Sequence, residues 1–148
     1  MVRDQPPKVD PLRPIHRAIM NNDAAAFRAE VAAGVDINLP GPEDMTPLHI
    51  AADRGNIEIA KELLDAGANV DPINVWGNTP LWMAVMKRHL NSPDGSMVRL
   101  LLDSNADPTK TESENGRSAL VMSRLLAGFP KELAHLVEAK ADELKTRG

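Results

Sequence analysis

The sequence predicts an all-α solenoid of about four stacked helix-turn-helix units, and three observations carry the prediction. Composition is the first: the hydrophobic fraction is 43% while the aromatic fraction is only 3%. A core of that make-up is built from Ala, Leu, Val, Ile and Met, which suits close-packed helices better than a sheet sandwich. The second is a fixed internal period. Pro14-Ile15-His16-Arg17-Ala18 aligns with Pro47-Leu48-His49-Ile50-Ala51 at an offset of 33 residues, and Gly34 with Gly67 and Thr46-Pro47-Leu48 with Thr79-Pro80-Leu81 keep that offset. A period of this size marks a stack of small units that bury their apolar faces against one another. The third is local: Ile57, Ala60, Leu63 and Leu64 recur at helical spacing between residues suited to start and stop a helix.

The second unit, residues 44–76, is the most regular. Thr46 can cap a helix whose first turn takes Pro47, a position that needs no N–H donor. Ala51 and Ala52 let a neighbouring helix approach closely, and this first helix ends near Gly55. The second helix carries the Ile57, Ala60, Leu63, Leu64 stripe, and Gly67 supplies the left-handed residue that stops it. Its sequence, Thr46-Pro47-Leu48-His49-Ile50-Ala51 followed by Gly55-Asn56 and then Ala60 to Asp71, resembles the ankyrin-repeat family, whose unit is about 33 residues with a T-P-L-H-x-A signature. The resemblance implies an ankyrin-repeat solenoid in which short β-hairpin-like finger loops join the helix pairs.

The other units follow by register. The first, residues 12–43, keeps Pro14, His16, Ala18, Gly34 and Asp36-Ile37-Asn38 but lacks the Thr, as an end-capping repeat does. In the third, residues 77–115, the helix-ending position falls at Asn105, so five residues are added between the helices within 87–96. Asn105 can take the left-handed conformation that Gly67 provides. The insertion either lengthens the unit's first helix into a lip or is ordinary loop variation. The fourth, residues 116–145, opens at Gly116-Arg117-Ser118-Ala119-Leu120 with Ser118 in the capping place, and Pro130 is expected to begin its second helix. One repeat domain thus spans 12–145, preceded by a tail, 1–11, whose Pro and charge content predicts disorder.

Composition also bounds function. A chain of 148 residues and net charge −4 has no clustered basic excess to neutralise phosphates, so no nucleic-acid partner is expected. The absence of cysteine removes disulfides, thiolate metal sites and cysteine nucleophiles. No run suits a signal peptide or a membrane span, which predicts a cytoplasmic protein without a membrane partner. No HExxH, GxSxG, P-loop or dinucleotide fingerprint occurs, and Asn91 to Gly95 lacks the alternating acids and terminal Glu of a calcium loop. His16 and His49 share a repeat position and are expected to hold loop backbone in place. The chain therefore reads as not an enzyme, with no cofactor, no metal and no small-molecule substrate.

What remains is a surface. In the family that the chain resembles, partners dock on the concave side formed by finger loops and first helices. Register places Pro42, Glu43 and Met45 on one finger and Val75, Trp76 and Asn78 on the next. On the first helices it places Met20 and Asn21, Asp53 and Arg54, and Met86 and Lys87. These twelve are the predicted partner-binding residues. Met20 and Met86 serve either an adaptable binding surface or gap-filling between helices. Trp76 is the kind of aromatic anchor enriched at binding hot spots, whereas Trp82, at the His49 position, is expected to pack. GNTPLWxAV, the lengthened third unit and GRSALxxSR resemble small free-standing bacterial ankyrin proteins, some of which are immunity proteins. That resemblance implies a monomeric inhibitor of a bacterial toxin or effector. A structural scaffold that assembles by self-association, and an enzyme on a repeat scaffold, are the alternatives. Glu43, Asp44, Glu112 and Glu114 fit a basic partner, but Arg54, Lys87 and Lys110 stand close in register and leave the sign of the face open.

Overall fold

The computed structural model describes residues 12–91 and 94–147, excluding the side chains of 88–91. The predicted tail, 1–11, lies outside the described residues. Eight α-helices are present and no strand occurs among the described residues. They are α1 (Pro14–Met20), α2 (Ala24–Ala32), α3 (Pro47–Arg54), α4 (Ile57–Asp65), α5 (Pro80–Asn91), α6 (Ser96–Asp103), α7 (Ala119–Leu125) and α8 (Lys131–Arg147). Each odd-numbered helix packs on the even-numbered helix that follows it. Across units, α1, α3, α5 and α7 form one row and α2, α4, α6 and α8 a second.

Helix starts follow the capping chemistry. Thr46 Oγ1 accepts from the amide of His49, with Pro47 in the first turn. Ser118 does the same for Val121, while Asp23 and Asn56 cap the second helices α2 and α4. Pro130 is one residue short of its expected place: α8 begins at Lys131, and the Pro130 carbonyl accepts from the amide of Ala134. Asn105 sits at φ +68°, the left-handed turn that Gly67 makes at φ +90°. The insertion lengthens a helix, since α5 runs 12 residues where α3 runs 8.

Aliphatic residues and methionine fill the space between the rows. Leu48, Ala51, Ala52, Leu81, Ala84 and Val85 are buried from the first helices, and Ile59, Ala60, Leu63, Met97, Val98 and Leu101 from the second. Ile57 and Leu64, expected in the stripe of α4, are only half-buried, and Ile59 takes the deeper place. Full burial of a Leu or Ile side chain contributes about 1.5–3 kcal/mol, so the seam between rows is the main source of stability.

Candidate functional site

Two recurring hydrogen bonds set the spacing between units. His16 Nδ1 accepts from the Arg13 amide (3.0 Å) and its Nε2–H donates to the Leu39 carbonyl (2.7 Å). In the next unit His49 Nδ1 accepts from the Thr46 amide (3.2 Å) and Nε2–H donates to the Asn78 carbonyl (2.8 Å). A nitrogen facing an N–H must be bare and one facing a carbonyl must be protonated, so both imidazoles are neutral. Burial pushes the pKa of His49 below the usual imidazole value, partly offset by the bond to Asn78. The second link lies at the far end of each unit. Asn38 Oδ1 accepts from the Asn69 amide (2.9 Å), and Asp71, one repeat later, accepts from the Asp107 amide (3.0 Å). Desolvation raises the pKa of the Asp71 carboxyl, and the Asp107 amide and nearby Lys110 partly counter it.

The fingers are tight turns hydrogen-bonded to one another. The amide of Gly41 donates to the Met45 carbonyl (2.9 Å) and that of Asn74 to the Asn78 carbonyl (3.1 Å), which closes each turn in hairpin fashion. Between fingers, the Val75 amide donates to the Glu43 carbonyl (3.1 Å) and the Glu112 amide to the Gly77 carbonyl (3.0 Å). Gly77, at φ +79°, is required there: a Cβ would stand 2.2 Å from the Ser113 nitrogen and 2.3 Å from the Glu112 carbonyl carbon.

Along this face lie two depressions. A groove of about 900 Å³ is floored by Trp82, Met83, Met86 and Met122, with Val75, Trp76 and Asn78 on one side and residues 112–115 and Arg117 on the other. A smaller one of about 230 Å³ is lined by Leu12, Met20, Pro42, Glu43, Met45, Ile50, Asp53 and Arg54. Ten of the twelve predicted residues are thereby distributed: Met20, Pro42, Glu43, Met45, Asp53 and Arg54 on the small depression, and Val75, Trp76, Asn78 and Met86 on the groove. Lys87 Nζ stands 3.8 Å from Asp53 Oδ1, on the α3–α5 side of both. Asn21 is the C-cap of α1 and lines neither.

Trp76 is 53% exposed, whereas Asn78 is only 7% exposed and its backbone is committed to Asn74 and His49. Trp82 packs against the core as expected, yet its ring also lines the groove, so both tryptophans belong to one site. Its indole nitrogen is buried and has no hydrogen-bond partner. Sequence reasoning did not place Met83, Met122 or Arg117 at the site, nor Leu125, which is 60% exposed. Register contained the signal: Met83 and Met122 are equivalent to Ile50, and Leu125 to Met20, Asp53 and Met86. No group of side chains suited to a metal ion occurs among the described residues, and no helix among them is long and apolar enough to cross a membrane.

The comparisons with known proteins agree with the repeat geometry. The family described as "Ankyrin repeats (3 copies)" matches residues 15–112. The chain is similar to human Ankyrin repeat and SOCS box protein 11, 33% identical over 107 residues, which cover 72% of this chain and 31% of that protein. It is 41% identical to human Ankyrin repeat domain-containing protein 13B over 90 residues, 60% of this chain and 14% of that protein. With human Rabankyrin-5 it shares 33% identity over 100 residues, 60% of this chain and 8% of that protein. The chain thus spans less than a third of the length of the relatives it matches. Ankyrin repeats generally mediate protein–protein interaction and are generally non-catalytic. With that match over most of its length, two rows of paired helices and fingers bonded in series, this chain belongs to the ankyrin-repeat family.

Proposed function

We propose that this chain is a non-catalytic module that recognises a partner protein through its concave face and finger loops, and that the twelve residues named from register, joined by Trp82, Met83 and Met122, form the contact surface. The observation that carries this is the groove beside Trp76, where a half-exposed indole rises next to a floor of one tryptophan and three methionines. An amphipathic aromatic on a rigid turn loses little conformational entropy on binding, and methionines adapt their shape to what covers them. In its sharpest form the module is a toxin-neutralising inhibitor of bacterial type, which rests on the resemblance of units three and four to such proteins. Mixing the chain with candidate partners encoded by neighbouring genes tests this: a stable complex is expected by calorimetry. Trp76→Ala should weaken it about 30-fold, equivalent to about 2 kcal/mol, while leaving the unfolding midpoint unchanged. An unaltered affinity removes the groove from the contact surface.

A further inference from the structure

We propose that the groove between the second and third fingers takes a Lys or Arg side chain of the partner, presented between apolar neighbours; this rests on the protein-binding function above and names what that groove binds. Four placements carry it. Trp76 offers a half-exposed indole, whose face attracts a cation laid on it. Glu112 and Glu114 line the same groove from the opposite finger, both exposed, and neither forms an ion pair among the described residues. Of the three cations close in register, Lys87 faces Asp53 at 3.8 Å, Lys110 Nζ donates to the Asp71 carbonyl at 2.7 Å, and Arg54 lines the other depression. Arg117 is the one cation among the described lining residues, where two carboxylates outnumber it. The sign of the face, open in the sequence, is therefore acidic at this groove. Beyond it Glu43 and Asp44, both exposed, extend the acidic rim along the next finger. An anionic rim over an apolar, aromatic floor suits a long side chain with a methylene stem and a cationic head.

The two tryptophans of the chain both line this groove, so intrinsic fluorescence reports on it directly. The probes are three capped tripeptides, leucine-arginine-leucine, its citrulline analogue and leucine-glutamate-leucine, each titrated to about 10 mM. A saturable change with the arginine peptide is expected, at least about tenfold weaker with citrulline and absent with glutamate, and weakened between about 50 and 500 mM NaCl. The double substitution Glu112→Gln/Glu114→Gln should weaken the arginine peptide about fivefold or more without moving the unfolding midpoint, because both side chains are exposed. Equal binding of the arginine and citrulline peptides, or a double variant that binds as the parent does, overturns the cationic site while leaving the groove as a protein-binding surface. No saturable change with any peptide also overturns it, and the broader function then stands or falls separately on Trp76→Ala in the partner complex.

Discussion

Replacing Gly77 with alanine separates two kinds of glycine that the repeat places in one chain. Gly67 and Gly77 both have positive φ, +90° and +79°, but a Cβ on Gly67 meets nothing within 4 Å whereas one on Gly77 would lie 2.2 Å from the Ser113 nitrogen. The conformational cost alone, about 1–2 kcal/mol for an ordinary residue in the left-handed region, is common to both. Gly77→Ala adds a clash with backbone that cannot be relieved by a rotamer change, so the third finger must withdraw. Withdrawal breaks the bonds that the Gly77 carbonyl accepts from the Glu112 amide (3.0 Å) and Thr111 Oγ1 (3.2 Å), at about 1 kcal/mol each. The expected totals are about 1–2 kcal/mol for Gly67→Ala and about 3–4 for Gly77→Ala, read from urea unfolding followed by circular dichroism. Amide exchange gives the local readout: the Glu112 amide should lose protection in Gly77→Ala and keep it in Gly67→Ala. Equal losses of stability, with Glu112 protection unchanged, would refute the view that finger-to-finger contact fixes this position.

Thr46→Ala removes the cap of α3 and one of the groups around His49 Nδ1, and should cost about 1–2 kcal/mol in the same unfolding assay. His49 supplies a pH dependence. Its folded pKa lies below the unfolded value near 6.5, so the unfolded chain binds more protons in that window. Stability should therefore be flat in this term above about pH 7 and fall as pH drops below about 6.5, and His49→Gln should flatten that part of the profile of unfolding midpoint against pH. Asn105→Gly, at φ +68°, should be neutral or stabilise by about 0.5 kcal/mol, because the bond from Lys140 Nζ to Asn105 Oδ1 that it forfeits is long, 3.3 Å, and exposed. A clear loss of stability would mean that this bond matters more than the backbone strain.

The helices were legible because each has its own local signal: Thr46, Pro47, Gly55 and Gly67 act within a few residues of where they stand. The insertion was legible as a count, and its outcome as helix goes with position 88, where α5 carries Arg in place of the left-handed Gly55 that ends α3. The candidate face was legible by register for Met20, Asp53 and Met86, since equivalent positions on a one-dimensional stack point the same way. What stayed hidden depends on the third dimension. Charge at the groove turns on which cations are already engaged, and Lys110 meets the Asp71 carbonyl from 39 residues away. Asn78 looks exposed in sequence, as polar finger residues do, yet its carbonyl is the acceptor for an imidazole in the preceding unit. Ile59 displaced Ile57 from the centre of the α4 stripe because burial is decided by the facing helices α2, α3 and α6, which a single-helix pattern does not contain.

The indole nitrogen of Trp82 stands where two earlier units place an imidazole that reaches a carbonyl on a finger. Tryptophan has no second ring nitrogen to meet the helix start, and its one N–H finds no acceptor. Among the described residues the imidazole-to-finger bonds therefore stop after the second unit, and the finger from Thr111 to Gly116 is bonded from its side by the Gly77 carbonyl. The last finger is thus coupled to its neighbour through the Gly77 carbonyl, one residue along the chain from the half-exposed ring of Trp76.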